Sequence, residues 1–223
     1  MTALAIFAKT PGVSPVKTRL AQAIGARRAT LFHGLAAACV GEVASRCAGR
    51  LAAHWAVAEA EAMGDPRWAA LPVIWQGEGG LGERLHTVYS ALQRRHGAAL
   101  LIGCDTPHLT ADLLHDAERR LRSGDGAFLM GRALDGGFWL LGGSRPIPRE
   151  AWLGVQYSTA GTAAQLAMAL PRIAEFTAMS DVDVAADLPH VLDALLALAH
   201  PVLGQRRLAR WLAPLVAGCP ARR

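Results

Sequence analysis

The sequence predicts a single α/β domain built on a mainly parallel, twisted sheet. Apolar, strand-like runs alternate with helical patterns along the chain, which is typical of strand–helix–strand units. The run from residue 98 to 104 is apolar throughout, as expected of a strand that helices cover on both faces. With 223 residues, 52% of them hydrophobic, the chain can bury a sizeable core. We therefore expect right-handed crossovers, helices on both faces and ligands at the carboxyl ends of the strands.

The elements follow in order along the chain. Short apolar runs bounded by turn residues predict strands at 2–8, 51–58, 73–76, 98–104, 126–132, 137–142 and 172–178. Helical periodicity between these runs predicts helices at 17–24, 26–48, 81–95, 110–122, 159–169 and 184–198. Gly25 separates the first two helices, Thr110 is a predicted helix N-cap, and the helix at 159–169 follows Ser158.

The net charge of +5 is a property of the C-terminus. Acidic and basic side chains balance over residues 1–193, and five arginines follow with no further Asp or Glu. We predict a nucleotide-binding domain over 1–200 and, over 201–223, a basic amphipathic helix that packs on or extends from the domain. Attachment to a membrane surface or to an acidic partner is the less favoured alternative. A nucleic-acid partner is not expected, because such binding needs a distributed basic surface.

Composition also predicts the compartment. No apolar run is long enough to span a membrane, and no basic region precedes an apolar stretch at the N-terminus. The four cysteines (Cys39, Cys47, Cys104 and Cys219) lack CxxC spacing, so free thiols in a reducing cytoplasm are the simplest interpretation. We expect a cytoplasmic protein, and the sequence leaves a homo-oligomer open.

The only two lysines of the chain lie in one loop after the first strand. Lys9 and Lys17 lie there with Gly12, two prolines and Arg19. All the other 20 Lys or Arg positions of the chain are arginines. A compact ammonium is typical of phosphate-binding loops, and a strand that leads through a basic loop into a helix is a common phosphate site. The alternative is an arginine-rich composition with two solvated lysines.

Acidic residues follow two of the predicted strands. Asp105 ends the most buried strand, and Asp181 and Asp183 follow the last one. Because the carboxyl ends of parallel strands meet at one edge of a sheet, these carboxylates should face the lysine loop. Mg²⁺ or Mn²⁺ held by Asp105 and Asp183, together with substrate phosphates, is then chemically reasonable. The alternative is that Asp181 and Asp183 cap the following helix.

The segment 77–82 matches the G-x-G-x-x-G pattern of dinucleotide-binding proteins. It lies between a strand and a helix, with Asp105 at the end of the next strand, so a nicotinamide-dependent oxidoreductase is a competing hypothesis. Glu78 would place negative charge where a pyrophosphate must lie. We favour the alternative that Gly79 and Gly80 let the backbone pass close to a nucleotide base.

The segment Asp135-Gly136-Gly137 joins two predicted strands near the same edge. The glycines suit a tight turn, which is a purely structural interpretation. The functional interpretation is an acceptor pocket in which Asp135 binds a hydroxyl or acts as a base. His108, close to Asp105 in sequence, could also meet the substrate. The cluster of Cys104, Asp105 and His108 lacks the spacing of a structural zinc site.

Taken together, several motifs resemble a known family. They occur in order as Ile6-Phe7-Ala8-Lys9, Val16-Lys17-Thr18-Arg19-Leu20, Gln76-Gly77, Leu81-Gly82-Glu83-Arg84, Gly103-Cys104-Asp105-Thr106-Pro107-His108, Asp135-Gly136-Gly137 and Asp181-Val182-Asp183. Residues 3 to about 190 resemble bacterial nucleotide-diphospho-sugar transferases of GT-A type, some assigned to arsenosugar biosynthesis. Molybdenum-cofactor and phospholactate nucleotidyltransferases are related. The loop before Lys17 and the residues flanking Asp105 depart from the family pattern.

The resemblance implies a metal at Asp105, nucleotide phosphates near Lys17 and Arg19, and a second metal ligand at Asp183. The predicted catalytic residues are Asp105, Asp135 and Lys17. The predicted nucleotide-binding residues are Lys9, Lys17, Arg19, Gln76, Gly79, Gly80 and Arg84.

The expected function is metal-dependent glycosyl transfer from a nucleotide sugar to a small acceptor. The alternative is nucleotidyl transfer from a nucleoside triphosphate (NTP) with release of pyrophosphate. A non-catalytic nucleotide sensor is a third hypothesis.

Overall fold

The computed structural model describes residues 1–123 and 127–217. Within them the chain forms seven strands, each close to its predicted position. They are β1 (Thr2–Ala8), β2 (Leu51–Val57), β3 (Val73–Trp75), β4 (Ala99–Gly103), β5 (Phe128–Ala133), β6 (Phe138–Gly143) and β7 (Ile173–Met179).

Among the described residues, eight α-helices connect or follow these strands, and three single 3₁₀ turns supplement them. The helices are α1 (Thr18–Ile24), α2 (Ala26–Arg46), α3 (Leu81–His96), α4 (Ala111–Ser123), α5 (Arg149–Leu153), α6 (Thr162–Ala169), α7 (Leu188–Leu196) and α8 (Leu203–Ala217). None of the helices in the described part of the chain has the length and apolar character to cross a membrane.

The seven strands form one sheet in the order β3-β2-β1-β4-β6-β5-β7. All pairings are parallel except those of β6, which runs antiparallel to β4 and β5. The predicted fold class, a mainly parallel sheet with helices on both faces, is confirmed. Because β6 is reversed, the β5–β6 turn lies at the same edge as the carboxyl ends of β1 and β4.

Alternate residues of β1 belong to the two hydrophobic clusters that lie on opposite faces of the sheet. Leu4 and Ile6 pack with α2 and α4 on one face, and Ala3 and Ala5 pack with α3, α5 and α6 on the other. These β1 side chains are fully buried, as expected of a strand with helices on both sides. Both faces of the central strand are therefore covered by helices, and the polar side chains lie in the loops at the carboxyl edge of the sheet.

The C-terminal helix α8 packs against α2 and α7. Trp211 lies 6.4 Å from the ring of Phe32, and the buried Gln205 amide donates to the carbonyl oxygens of Pro107 and Leu109. The last part of the predicted 201–223 segment, residues 218–223 with Cys219, lies outside the described residues. The three other cysteines are buried free thiols.

The helix predicted at 159–169, after Ser158, starts at Thr162 instead. Ser158 has a positive φ of 60° inside a preceding turn. That turn is closed by the hydroxyl of Thr162, which donates to the carbonyls of Gln156 and Thr159. Thr110, by contrast, caps α4 as predicted, since its hydroxyl accepts from the backbone N–H of Leu113.

Candidate functional site

Lys17 lies at the centre of a charged cluster at the carboxyl edge of the sheet. It has left-handed backbone geometry (φ 48°, ψ 44°) immediately before α1, and its side chain is 4% exposed. Its Nζ lies 2.9 Å from Oδ2 of Asp105, 3.5 Å from Oδ1 of Asp183 and 2.5 Å from the carbonyl oxygen of Val182. Burial would lower the pKa of Lys17, but the two carboxylates outweigh burial and raise it.

Arg19 extends from the first turn of α1 to Asp183. One guanidinium nitrogen lies 2.5 Å from Oδ2 of Asp183, and the rest of the Arg19 side chain is 65% exposed. Asp183 therefore contacts two cations. It does not cap the following helix, because Asp187 accepts from the backbone N–H groups of Asp183 and Val184 instead. Its carboxylate faces the charged cluster.

A residue that the sequence did not single out lies beside Asp105. His33 of α2 is buried, with Nδ1 3.8 Å from Oδ1 of Asp105 and Nε2 3.0 Å from the carbonyl oxygen of Lys9. Because that carbonyl can only accept, Nε2 carries the hydrogen and donates to it. His33 thus hydrogen-bonds the loop after β1 and lies next to Asp105 at the end of β4.

A first cavity of about 600 Å³ opens beside this cluster. Its wall contains most of the predicted nucleotide-binding residues. They are Lys9, Lys17, Arg19, Gln76, Gly79 and Arg84, and the predicted metal ligands Asp105 and Asp183 lie there too. Gly80 does not line the cavity, because it caps α3. The structure therefore brings the loop after β1 and the glycine segment to one cavity.

The glycine segment is not arranged to hold a dinucleotide pyrophosphate. Glu83 folds back on the N-terminus of α3 and accepts from the N–H of Gly80 at 2.8 Å. A carboxylate thus occupies the helix end where an anion would bind. Gly79 has a φ of 86°, and a Cβ there would collide with Glu83. Arg84 donates through Nε to the Gly79 carbonyl, and no residue in 1–123 or 127–217 binds the end of its guanidinium.

A second cavity of about 580 Å³ lies on the other side of the same cluster. Asp135 lines it, and one of its oxygens accepts from the N–H of Gly137 at 2.8 Å. The tight turn expected from the glycines is therefore present, with Gly136 at a φ of 91°. The second Asp135 oxygen is available to a ligand. His108 lines neither cavity.

Three carboxylates meet in this second cavity. Asp135, Asp181 and Asp183 each place an oxygen within 4.8 Å of the others. Burial, with repulsion from Asp135 and Asp183, raises the pKa of Asp181 to about 6. A divalent cation would relieve that repulsion, so this group fits Mg²⁺ or Mn²⁺. The sequence placed Asp181 at this edge without giving it a role as a ligand.

The surroundings of Asp105 fit a cation less well. Lys17 occupies one carboxylate oxygen, and the other faces His33 and Cys104. Burial raises the pKa of the Cys104 thiol well above its ordinary value, so sulfur there stays protonated. The predicted pair Asp105 and Asp183 is thus bridged by an ammonium, and ligation of a metal by Asp105 stays a prediction.

Solved structures share this fold. A protein from Desulfovibrio desulfuricans G20, provisionally named a nucleotide-diphospho-sugar transferase, matches with a TM-score of 0.80 at 21% identity, over 97% of this chain and 96% of its own. The 4-diphosphocytidyl-2C-methyl-D-erythritol synthase of Anaerococcus prevotii DSM 20548 matches with a TM-score of 0.54 at 9% identity, over 86% and 94% of the two chains. A CMP:2-keto-3-deoxy-manno-octonic acid synthetase complexed with CTP matches with a TM-score of 0.54 at 14% identity, over 88% and 99%.

These matches confirm the resemblance at the level of the fold. No curated protein matches the chain in sequence. A family model, described as "Uncharacterized protein conserved in bacteria (DUF2064)", matches residues 39–159, which include β2 to β6 and both Asp105 and Asp135. Since the match spans more than half of the 223 residues, the chain belongs to this bacterial family.

Proposed function

We propose that the protein is a metal-dependent transferase that binds a nucleotide sugar and passes the glycosyl group to a small acceptor. The observation that carries the proposal is the pair of cavities that meet at one charged wall. Arg19, Asp105 and Asp183 line both cavities. A donor in the first cavity and an acceptor in the second would meet at these side chains, as transfer between two substrates requires.

The first cavity suits the nucleotide because cations surround it. Lys9 is exposed and has no carboxylate partner among the described residues, and Arg19 and Arg84 present guanidinium groups. Such groups form charge-assisted hydrogen bonds to phosphates. Lys17 already has three oxygen partners, so contact with a phosphate would require it to exchange one of them.

The second cavity suits the acceptor. The free oxygen of Asp135 can accept a hydroxyl hydrogen and so orient or deprotonate an attacking group. Mg²⁺ or Mn²⁺ would be held by Asp181 and Asp183, and by Asp105 after exchange with Lys17. The cation would supply positive charge to the diphosphate leaving group. Phe138 and Tyr157 add apolar surface to this cavity.

Nucleotidyl transfer from an NTP is the second candidate. It is supported by the four Lys and Arg side chains around one cavity, which suit a triphosphate, and by the shared fold of the synthetase complexed with CTP. Oxidoreduction has no such support, because Glu83 occupies the α3 N-terminus.

The deciding experiment measures products. The protein is incubated with Mg²⁺ and a panel of nucleotide sugars or NTPs, without acceptor. We expect slow release of free sugar and nucleoside diphosphate, because water can replace the acceptor. Asp183→Asn should reduce this rate by about tenfold or more through loss of a cation ligand. Asp116→Asn is the matched control, since Asp116 pairs only with Arg119 and Arg120 on α4.

The outcomes separate the hypotheses. In a second incubation, a phosphorylated acceptor is added. Release of pyrophosphate from an NTP in its presence, with nucleotide sugars inert, would establish the nucleotidyltransferase. Tight nucleotide binding without turnover across the panel would favour a sensor. An Asp183→Asn rate equal to that of Asp116→Asn would contradict the role given to the cluster.

A further inference from the structure

Gln76 is a buried amide in the wall of the first cavity. It follows β3 and is only 4% exposed, although it lines a cavity of about 600 Å³. Its backbone N–H donates to the carbonyl of Val57 at 2.9 Å, which fixes the main chain. Its side chain reaches back over β2, where Nε2 lies 2.8 Å from the carbonyl oxygen of Ala56 and 3.3 Å from that of Ala8.

These two contacts determine which way the amide is turned. Carbonyl oxygens only accept hydrogen bonds, so the edge that faces Ala8 and Ala56 must be the NH₂ group. Oε1 therefore lies on the opposite edge of the amide. No donor from residues 1–123 or 127–217 reaches it. The protein thus holds a hydrogen-bond acceptor in a fixed position and leaves it without a partner.

An acceptor of this kind selects for a donor. A phosphate offers only acceptor oxygens at neutral pH, so it would be repelled, and the nucleoside half of a nucleotide must supply the hydrogen. The wall of the same cavity also includes Phe7, Gly79 and the partly exposed Leu81. Apolar surface with a backbone free of side-chain bulk suits the flat face of a heterocycle better than a ribose.

We infer that Oε1 of Gln76 accepts a hydrogen bond from an N–H group of the nucleotide base, which makes Gln76 a residue that determines base specificity. The inference rests on the proposed nucleotide site. A base without a donor at this position leaves a buried acceptor unpaired, which weakens binding by about tenfold.

The test uses pairs of nucleoside diphosphates that differ by base methylation. The pairs are UDP and N3-methyl-UDP, GDP and N1,N2,N2-trimethyl-GDP, CDP and N4,N4-dimethyl-CDP, and ADP and N6,N6-dimethyl-ADP. Calorimetry with Mg²⁺ on the wild type should show one preferred parent whose methylated form binds about tenfold more weakly. In Gln76→Met the two forms should bind within about twofold of each other, while the affinity for inorganic pyrophosphate is unchanged.

The wild-type measurement stands even if Gln76→Met folds poorly, because methylation removes the same hydrogen bond from the ligand side. Equal affinity of the wild type for both members of the preferred pair overturns the inference, as does a loss that follows removal of a ribose hydroxyl instead. If none of the four parent diphosphates binds, the proposed function fails, and this inference fails with it.

Discussion

Replacing Lys17 by methionine should destabilise the fold and leave two carboxylates without a counter-ion. The ammonium lies within 3.5 Å of oxygens from Asp105, Val182 and Asp183. Loss of one partner from a buried ion pair costs about 3–5 kcal/mol. The Asp105 and Asp183 side chains are 37% and 28% exposed, so water takes over part of the interaction. We expect a loss of about 2 kcal/mol, which lowers Tm by roughly 4–8 °C in a chain of this length.

The assay is thermal unfolding of the wild type, Lys17→Met and Lys9→Met, with and without Mg²⁺. Lys9 is the matched control, since it is the only other lysine, lies in the same loop and is exposed. Lys9→Met should change stability by less than about 0.5 kcal/mol. Mg²⁺ should raise the Tm of Lys17→Met more than that of the wild type, because the ammonium no longer competes for the carboxylates. Equal stability of the two lysine variants, or equal gains from Mg²⁺, would refute the reasoning.

Two further predictions concern stability. Burial, with a smaller contribution from His190, lowers the pKa of His108 from 6.5 to about 4. Between these pH values the unfolded chain binds the extra proton, so His108 lowers stability as the pH falls. From pH 7 to pH 5 this contribution should amount to about 2 kcal/mol, measured in urea titrations as the difference in pH dependence between the wild type and His108→Leu, because the raised pKa of Asp181 acts in the opposite direction in both proteins. Gly136→Ala should cost about 3 kcal/mol or more in the same measurement, because its Cβ would collide with the Ala160 carbonyl at a φ of 91°. Gly12→Ala, at a φ of 92° with nothing within 4 Å, should cost only about 1 kcal/mol. If the two glycine variants lose equal stability, the collision at position 136 is relieved and the reasoning is wrong.

Much of the fold could be predicted because the hydrophobic periodicity of the sequence agrees with the pattern of buried residues in the structure. From Ala3 to Ala8 in β1, and throughout β4, there is no polar side chain to place outside, so the central position of these strands follows from composition. The short helix α5 was missed, since five residues between a proline and a glycine carry too little periodicity. The helix predicted from residue 159 begins only at Thr162, because the residues before it form a turn that the Thr162 hydroxyl closes.

The candidate site was predictable where it depends on strand ends. Asp105 and Asp183 were expected at one edge, and the topology puts them there. His33 was not predictable, because it lies on a long alanine-rich helix and only the packing of α2 against the sheet turns it towards Asp105. Nor does sequence spacing show that Lys17 is enclosed by oxygens rather than open to a ligand.

The contact between Lys17 and Val182 joins positions 165 residues apart in the chain. Closing so long a loop is entropically costly, and contacts of this span form late during folding. Both cavities need residues from the loop after β1 and from the segment after β7, so neither is complete until nearly the whole sheet has assembled. The charged wall between them is therefore a property of the finished fold. A nascent chain that has emerged only as far as β6 already carries Asp105 and Asp135, but it has no Asp183 to set beside them.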